Sequence, residues 1–301
     1  TVGAALSALV AQHRLGYAVI DGQVLVTSSE RREQKLETFL LNVADLVSDD
    51  QSAEDLAAQL ERFVEPTSWQ TAGGYGNIEV SGTKLSIEQT QATAAHVSEF
   101  LDKLRLTRGK LVAGKAAKAR SLETRHAAAK SLLAAPVTAN YRKGAPLSEI
   151  AEHLGQAAKV QLLFDGLALS AAGASPATEA ELTVADMPLS EALQTLLTPL
   201  QLTYRIADAR QIVITTPEAL SERLEVEFHP VEKLLGKDET AEALIERIKS
   251  ELDPRSWDDA GGPGLIEYEP SGYLIVLQTQ PRQIELEELL DSWRAESQPG
   301  K

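Results

Sequence analysis

Two patterns of apolar spacing alternate along the chain. The first is a short helix followed by a two-stranded hairpin. Val2, Leu6, Leu9 and Val10 fall on one helical face, and candidate strands over 15–20 and 23–27 flank Asp21-Gly22, a dipeptide that tolerates the positive φ angles of a two-residue loop. The same helix-plus-hairpin returns over 188–197, 202–206 and 211–215, with Tyr17 and Tyr204 in matching places. More chain precedes this second occurrence: a strand over 137–141, a helix opened by Pro146, an apolar strand over 160–164 ending at Asp165-Gly166, a small-residue loop over 170–180 and a strand over 181–184. The stretch 136–216 therefore reads β-α-β-β-α-β-β, and 1–29 supplies only the C-terminal half of such a module.

The second pattern also occurs twice. Candidate strands over 35–43 and 224–231 lead, after a polar gap, into helices over 52–64 and 240–252. Each helix has an N-cap residue, Ser52 or Thr240, and an apolar face, Leu56, Leu60 and Phe63 or Leu244, Ile248 and Leu252. Pro66 and Pro254 lie just beyond and keep the helices ended. A hairpin follows in each copy, over 76–80 and 84–88 or 265–268 and 273–277, then Gln-Thr-Gln at 89–91 and 278–280 and a closing helix. The order is β-α-β-β-α.

Between helix and hairpin of this second pattern lies the chain's most specific repeat. Trp69, Ala72, Gly73, Gly74, Gly76 and Ile78 return as Trp257, Ala260, Gly261, Gly262, Gly264 and Ile266, a shift of 188 residues (69 to 257). That distance is far beyond the roughly 20–50 residues of a solenoid repeat, so the duplicated unit contains several elements. Trp plugging a small core, with glycines supplying positive φ or close backbone approach, is one reading. Exposed glycine N–H groups holding an anion, glycan or peptide is the other. The structural reading is favoured, because Gln70-Thr71 becomes Asp258-Asp259 while the glycines return. The spacing of Gly73 to Gly76 and Gly261 to Gly264 also matches the G-x-x-G loop that clamps nucleotides. Here, however, it lies between a helix and a strand, and Asp258, Asp259 and Glu267 would repel phosphate.

Charge strengthens that exclusion. The net charge of −15 argues against a polyanionic partner. Only the stretch from Arg105 to Lys130 runs the other way, with eight Lys or Arg against the single acid Glu123. Its Ala, Lys and Leu content is expected to carry the closing helix of the first half onward, broken near Gly109 or Gly114, as a solvated helical spacer. A contact surface for an acidic neighbour, including the acidic modules of another copy, is the alternative. The absence of cysteine excludes disulfides and thiol chemistry, and no apolar run is long enough to cross a membrane as a helix. Thr1 to Val10 lacks the basic segment of a signal peptide, and the chain is expected to be a piece of something longer. The five histidines, His13, His96, His126, His153 and His229, are scattered. No nucleophile elbow, phosphate loop or zinc helix motif is present, and Asp258-Asp259 is too small a set for a hard cation. No catalytic, cofactor or metal residues are assigned. The hairpin strands over 23–27 and 211–215 are candidate edges for a partner strand, or equally are covered by the module that follows.

The stretch from Val137 to Thr216, through Pro146-Leu147-Ser148, Phe164-Asp165, Leu182-Thr183-Val184, Leu189 to Leu193 and Ile212-Val213-Ile214, resembles the secretin and TonB N-terminal (STN) domain. The β-α-β-β-α units resemble the KH-like ring-building modules of secretin periplasmic regions. Their alternation, with the Trp-Gly motif, resembles secretin-like envelope proteins of planctomycetes. The resemblance implies an α+β chain of tandem small modules: half an STN-like module over 1–29, a ring-building-like module over 30–106, a helical spacer over 107–135, an STN-like module over 136–216, a second ring-building-like module over 217–296 and a tail over 297–301. It further implies a periplasmic or envelope location and a non-enzymatic role in self-association or partner docking, without the secretin barrel. The alternative is capture of a glycan or peptide by the Trp loops.

Overall fold

The computed structural model describes residues 15–20, 23–28, 35–49, 51–110, 112, 121–236 and 239–296. The architecture is α+β, built from small two- and three-stranded sheets with helices packed on them. The chain divides into two compact units: 30–124 with 224–301, and 1–29 with 125–223.

The first described elements are β1 (Leu15–Ile20) and β2 (Gln23–Ser28), an antiparallel hairpin that pairs Tyr17 with Val26. The helix expected over Val2 to Val10 lies outside the described residues. The first β-α-β-β-α repeat follows as β3 (Glu37–Asn42), α1 (Ala53–Phe63), β4 (Asn77–Ser81), β5 (Lys84–Gln89) and α2 (Gln91–Thr107). Helix α1 begins where Ser52 and Asp55 cap each other: the Ser52 hydroxyl accepts from the Asp55 N–H and the Asp55 carboxylate accepts from the Ser52 N–H. The sheet is antiparallel in the order β3-β5-β4. In β5 the period of two is plain: Leu85 and Ile87 are buried under the helices, while Lys84 and Glu88 are exposed and Ser86 is half-buried on the other face.

The closing helix does not run on through the basic stretch. It stops at Thr107, Gly109 turns the chain at φ +63°, and 121–124 are not helical. Gly114 lies outside the described residues. Helix α3 (Arg125–Leu133) then starts afresh, and it is not simply a solvated rod: Ala129 and Leu133 are buried in the core of the segment that follows.

That segment contains β6 (Pro136–Pro146), α4 (Leu147–Ala158), β7 (Gln161–Phe164), α5 (Gly166–Ala171), β8 (Glu179–Pro188), α6 (Leu189–Leu197), β9 (Thr203–Asp208), β10 (Gln211–Thr215) and α7 (Pro217–Glu222). Strands β6 and β8 form a two-stranded antiparallel sheet and β7-β10-β9 a three-stranded one. Its core is drawn from α3, α4, α5 and α6 and the inner faces of the strands, from Ala129 to Ile214. Two expectations need correction. A short helix, α5, precedes the small-residue loop, capped by Asp165 accepting from the Ala168 N–H. Strand β10 offers no edge: it is the central strand, parallel to β7 through Ile212↔Leu162 and antiparallel to β9 through Ile214↔Tyr204. Read as one arm of a hairpin, 211–215 has a free side; the earlier strand over 161–164 fills it.

The second repeat is β11 (Leu224–Pro230), α8 (Ala241–Glu251), β12 (Leu265–Glu269), β13 (Tyr273–Thr279) and α9 (Gln280–Glu296), with sheet order β11-β13-β12. Strand order and register reproduce the first repeat: Glu37 pairs with Gln89 as Glu225 pairs with Gln278. The burial does not. Both faces of β13 are covered. Leu274 and Val276 pack with Leu244, Ile248, Trp257, Leu286 and Leu290 of their own repeat, whereas Ile275 and Leu277, with Phe228, join the core of the first repeat. The helices of the first repeat therefore lie between two sheets, their own and that of the second. Within this unit the layers run sheet, helices, sheet, helices.

Candidate functional site

The Trp-Gly motif forms the same corner in both repeats. Two single-turn 3-10 segments, Pro66–Ser68 and Gln70–Ala72 in one copy, Pro254–Ser256 and Asp258–Ala260 in the other, meet at the Trp. Trp69 and Trp257 are 0% and 1% exposed. The three glycines serve three different demands. Gly73 and Gly261 sit at φ +89° and +84°, with open space where a Cβ would point. Gly74 and Gly262 run against the preceding backbone, where a Cβ would stand 2.3 Å from the carbonyl carbon of Ser68 or Ser256. Gly76 and Gly264 give room to a glutamine amide, 2.1 and 2.3 Å from where a Cβ would be.

The loop's N–H groups point inward. Gly73 donates to the Gln70 carbonyl at 3.1 Å, Gly74 to Trp69 at 2.8 Å and Gly76 to Ser68 at 2.8 Å; Gly261, Gly262 and Gly264 donate to Asp258, Trp257 and Ser256 at 3.0, 2.8 and 2.9 Å. The glycine donors that the capture reading requires are engaged within the corner. Asp258 and Asp259 belong to it by their backbone while their carboxylates are exposed, with Lys249 Nζ 3.0 Å from Asp259. Among the described residues there is no group of three or more His, Asp or Glu placed to hold a metal ion. No described helix is long and apolar enough to cross a membrane.

One participant went unassigned from sequence. Gln89, 1% exposed, donates to the Ser68 hydroxyl at 2.8 Å and accepts from the Thr90 N–H at 2.7 Å; Gln278, 2% exposed, donates to the Ser256 carbonyl at 3.1 Å and accepts from the Thr279 N–H at 2.8 Å. Each glutamine ties the end of the hairpin to the start of the corner and to the residue that precedes the closing helix. The Gln-Thr-Gln repeat was its visible signal. The two tryptophans differ in one atom's environment. Trp69 Nε1 donates to the Val64 carbonyl at 2.6 Å, whereas Trp257 Nε1 is buried without an acceptor.

The other concentration of buried polar groups lies where the repeats stack. Arg108, at the end of α2, makes a fork onto Glu269 of β12, with both bonds at 2.9 Å, and donates to the Leu46 carbonyl at 2.8 Å. Lys103 of α2 reaches Glu227 of β11 at 3.2 Å, where Glu227 is 3% exposed. Arg62 and Gln59 of α1 both bond Glu267 of β12. Between these pairs Phe100 meets Phe228 edge-on, with centroids 5.6 Å apart. Apolar contact thus holds the sheet to the helices, and the charge pairs at its margins set the register. None of these pairings was read from sequence. The uninterrupted apolar run Tyr273 to Leu277, against the alternation of Lys84 to Glu88, was the available clue to a sheet covered on both faces.

Behind β11, on the side of its own helix, His229 is 2% exposed. Its Nε2 lies 2.8 Å from Gln283 Oε1, and the Gln283 amide nitrogen donates to the carbonyls of Glu225 and Val276 at 2.9 Å each. With that nitrogen committed, the Gln283 oxygen is the acceptor and the imidazole carries its proton on Nε2. Burial pushes the His229 pKa below the ordinary value, against the opposing influence of the Gln283 bond and of Glu227 and Glu287.

No protein-family model matches the chain, and no curated protein does. Among solved structures, it is similar to the N-terminal domain of the secretin XcpQ from Pseudomonas aeruginosa, at 19% identity over 54% of this chain and 66% of that one, with a TM-score of 0.19. It is also similar to the GspC-GspD complex of the type II secretion system of enterotoxigenic Escherichia coli, at 15% identity over 52% of this chain and 98% of that one, with a TM-score of 0.18. The chain spans about two thirds of the length of the XcpQ structure.

Proposed function

We propose that the chain is a non-enzymatic protein-interaction scaffold of the cell envelope, allied to the periplasmic N-terminal modules of secretins, with half and complete STN-like modules at 1–29 and 136–216 and ring-building-like modules at 30–106 and 217–296. The observation that carries this reading is the stack of the two β-α-β-β-α repeats. There the helix layer of one repeat closes the sheet face of the other through apolar contact framed by ion pairs. A module that already recognises its like by a surface of this kind is built for protein contact. The inward hydrogen bonding of both glycine corners supports a structural role for Trp69, Gly73, Gly74, Gly76 and their counterparts rather than capture of a glycan or peptide.

The test is cross-linking in envelope preparations from cells producing the chain, with light scattering on the purified protein. Recovery of a specific envelope protein, or of a defined homo-oligomer, is the expected result. A strictly monomeric chain at high concentration with no cross-linked partner would sink the proposal. A thermal shift on adding glycans or peptides, accompanied by a change in Trp fluorescence, would favour ligand capture instead.

A further inference from the structure

The two sheets are equivalent strand for strand, yet one outward face is covered and the other is open. On β13 that face carries Tyr273, Ile275 and Leu277, and it lies under α1 and α2. At the equivalent places on β5 stand Lys84, Ser86 and Glu88. The helix layers differ in the same sense. The first repeat docks with Arg62, Phe100 and Lys103; the equivalent positions of the second are Ser250, Leu289 and Ser292. Leu40, at the place of Phe228, is the exposed exception, at 75%.

We propose that these substitutions terminate the stack. Lys84, Ser86 and Glu88 at one end, and Ser250 and Ser292 at the other, prevent a further β-α-β-β-α unit, including that of a second copy of this chain, from docking in the mode that joins the two repeats. A contact of this head-to-tail type is heterologous: between chains it builds a ring where its rotation closes and an open array where it does not. Covering Lys84 and Glu88 with a helix layer would take two charges out of water at the places where the covered sheet carries Tyr273 and Leu277. The ends are kept apart by what they would bury, which is specificity by repulsion. This rests on the reading of the chain as an association module and narrows it: partners engage surfaces other than the open sheet face of the first repeat.

The test has two arms, both in the full chain. The first installs the second repeat's sheet residues on the first (Lys84→Tyr, Ser86→Ile, Glu88→Leu) and the first repeat's docking residues on the second (Ser250→Arg, Leu289→Phe, Ser292→Lys). Light scattering should then show masses above the parent's, either rising with concentration as an open array or fixed as a ring; a folded combined variant that keeps the parent's mass overturns the proposal. The second arm uses Ser86→Cys as the chain's sole thiol. Its rate of reaction with a maleimide should be unchanged between dilute and concentrated protein. A rate that falls several-fold on concentration means that this face is itself an interface, which also overturns the proposal. If the combined variant fails a circular-dichroism check of folding, the thiol arm decides alone. Absence of any envelope partner would fail the broader reading while leaving both arms readable.

Discussion

Glycines within one corner should differ sharply in what they tolerate. At Gly74 a methyl group would sit 2.3 Å from backbone atoms that no rotamer change can move, so Gly74→Ala is expected to cost about 3 kcal/mol or more. At Gly73 the space is open and only the left-handed backbone is penalised, so Gly73→Ala should cost about 1–2 kcal/mol and Gly73→Asn less. Urea unfolding of the three variants checks the order, and equal losses at 73 and 74 would contradict this account. The tryptophans give a second contrast. Trp69→Phe removes a donor bonded to Val64, while Trp257→Phe removes a donor with no acceptor. The loss at 69 should exceed that at 257 by about 1–2 kcal/mol, again from urea midpoints; the reverse order would refute it. This corner was the most legible part of the chain, because glycine and tryptophan demands are local and both copies state them. Gln89 was not legible in role, since its partner Ser68 lies 21 residues away and only folding brings them together.

Whole elements were readable where their apolar period was their own, and misread where another element decided their surroundings. Helix α1 announced itself through Ser52, Leu56, Leu60 and Phe63. The centrality of β10 could not be read, because parallel pairing with 161–164 leaves no local signal beyond apolar content. The buried pairing of α2 with the second sheet was hidden for the same reason, and it can be tested. Removing Arg108 leaves Glu269, 4% exposed, without its fork, so Arg108→Ala should destabilise by about 3 kcal/mol. Glu269→Gln, which keeps an acceptor for the guanidinium, should lose less. A loss below about 1 kcal/mol for Arg108→Ala, read from urea unfolding, would show the pair to be ornamental. Strand β11 carries a pH dependence of definite sign. His229 is held neutral, with its folded pKa below the ordinary value of about 6.5, so the unfolded chain takes up more protons there. That contribution is fully present above about pH 6.5 and is lost as the pH falls from there toward the folded pKa. The unfolding midpoint should therefore drop between pH 7.5 and pH 5.5, and His229→Gln should flatten the drop; an unchanged slope would place its origin elsewhere.

At the scale of the whole molecule, the sequence suggested modules in series, while the cores divide the chain differently. Among the described residues, the core between 129 and 214 is gathered from inside that span, with Leu147, Leu154, Leu193 and Ile214 among its members. The first repeat shares its core with Phe228, Ile275 and Leu277 of the second, across a stretch of chain that belongs to the other unit. Serial order in sequence therefore does not predict which pieces fold alone. A fragment spanning 121–223 should unfold cooperatively in urea, with an α+β circular-dichroism spectrum, because the cluster from Ala129 to Ile214 lies wholly within it. A fragment of 224–296 should not: it would present Phe228, Ile275 and Leu277 to water as one apolar face, and dye binding and aggregation are expected. Adding the stack-facing changes Phe228→Thr, Ile275→Ser and Leu277→Glu to that fragment should make it soluble, since they give its sheet the open face that the first repeat tolerates at Ser86 and Glu88. Cooperative folding of unmodified 224–296 as a soluble monomer would show that the shared core is dispensable, and the repeats would then be independent beads rather than one stacked body.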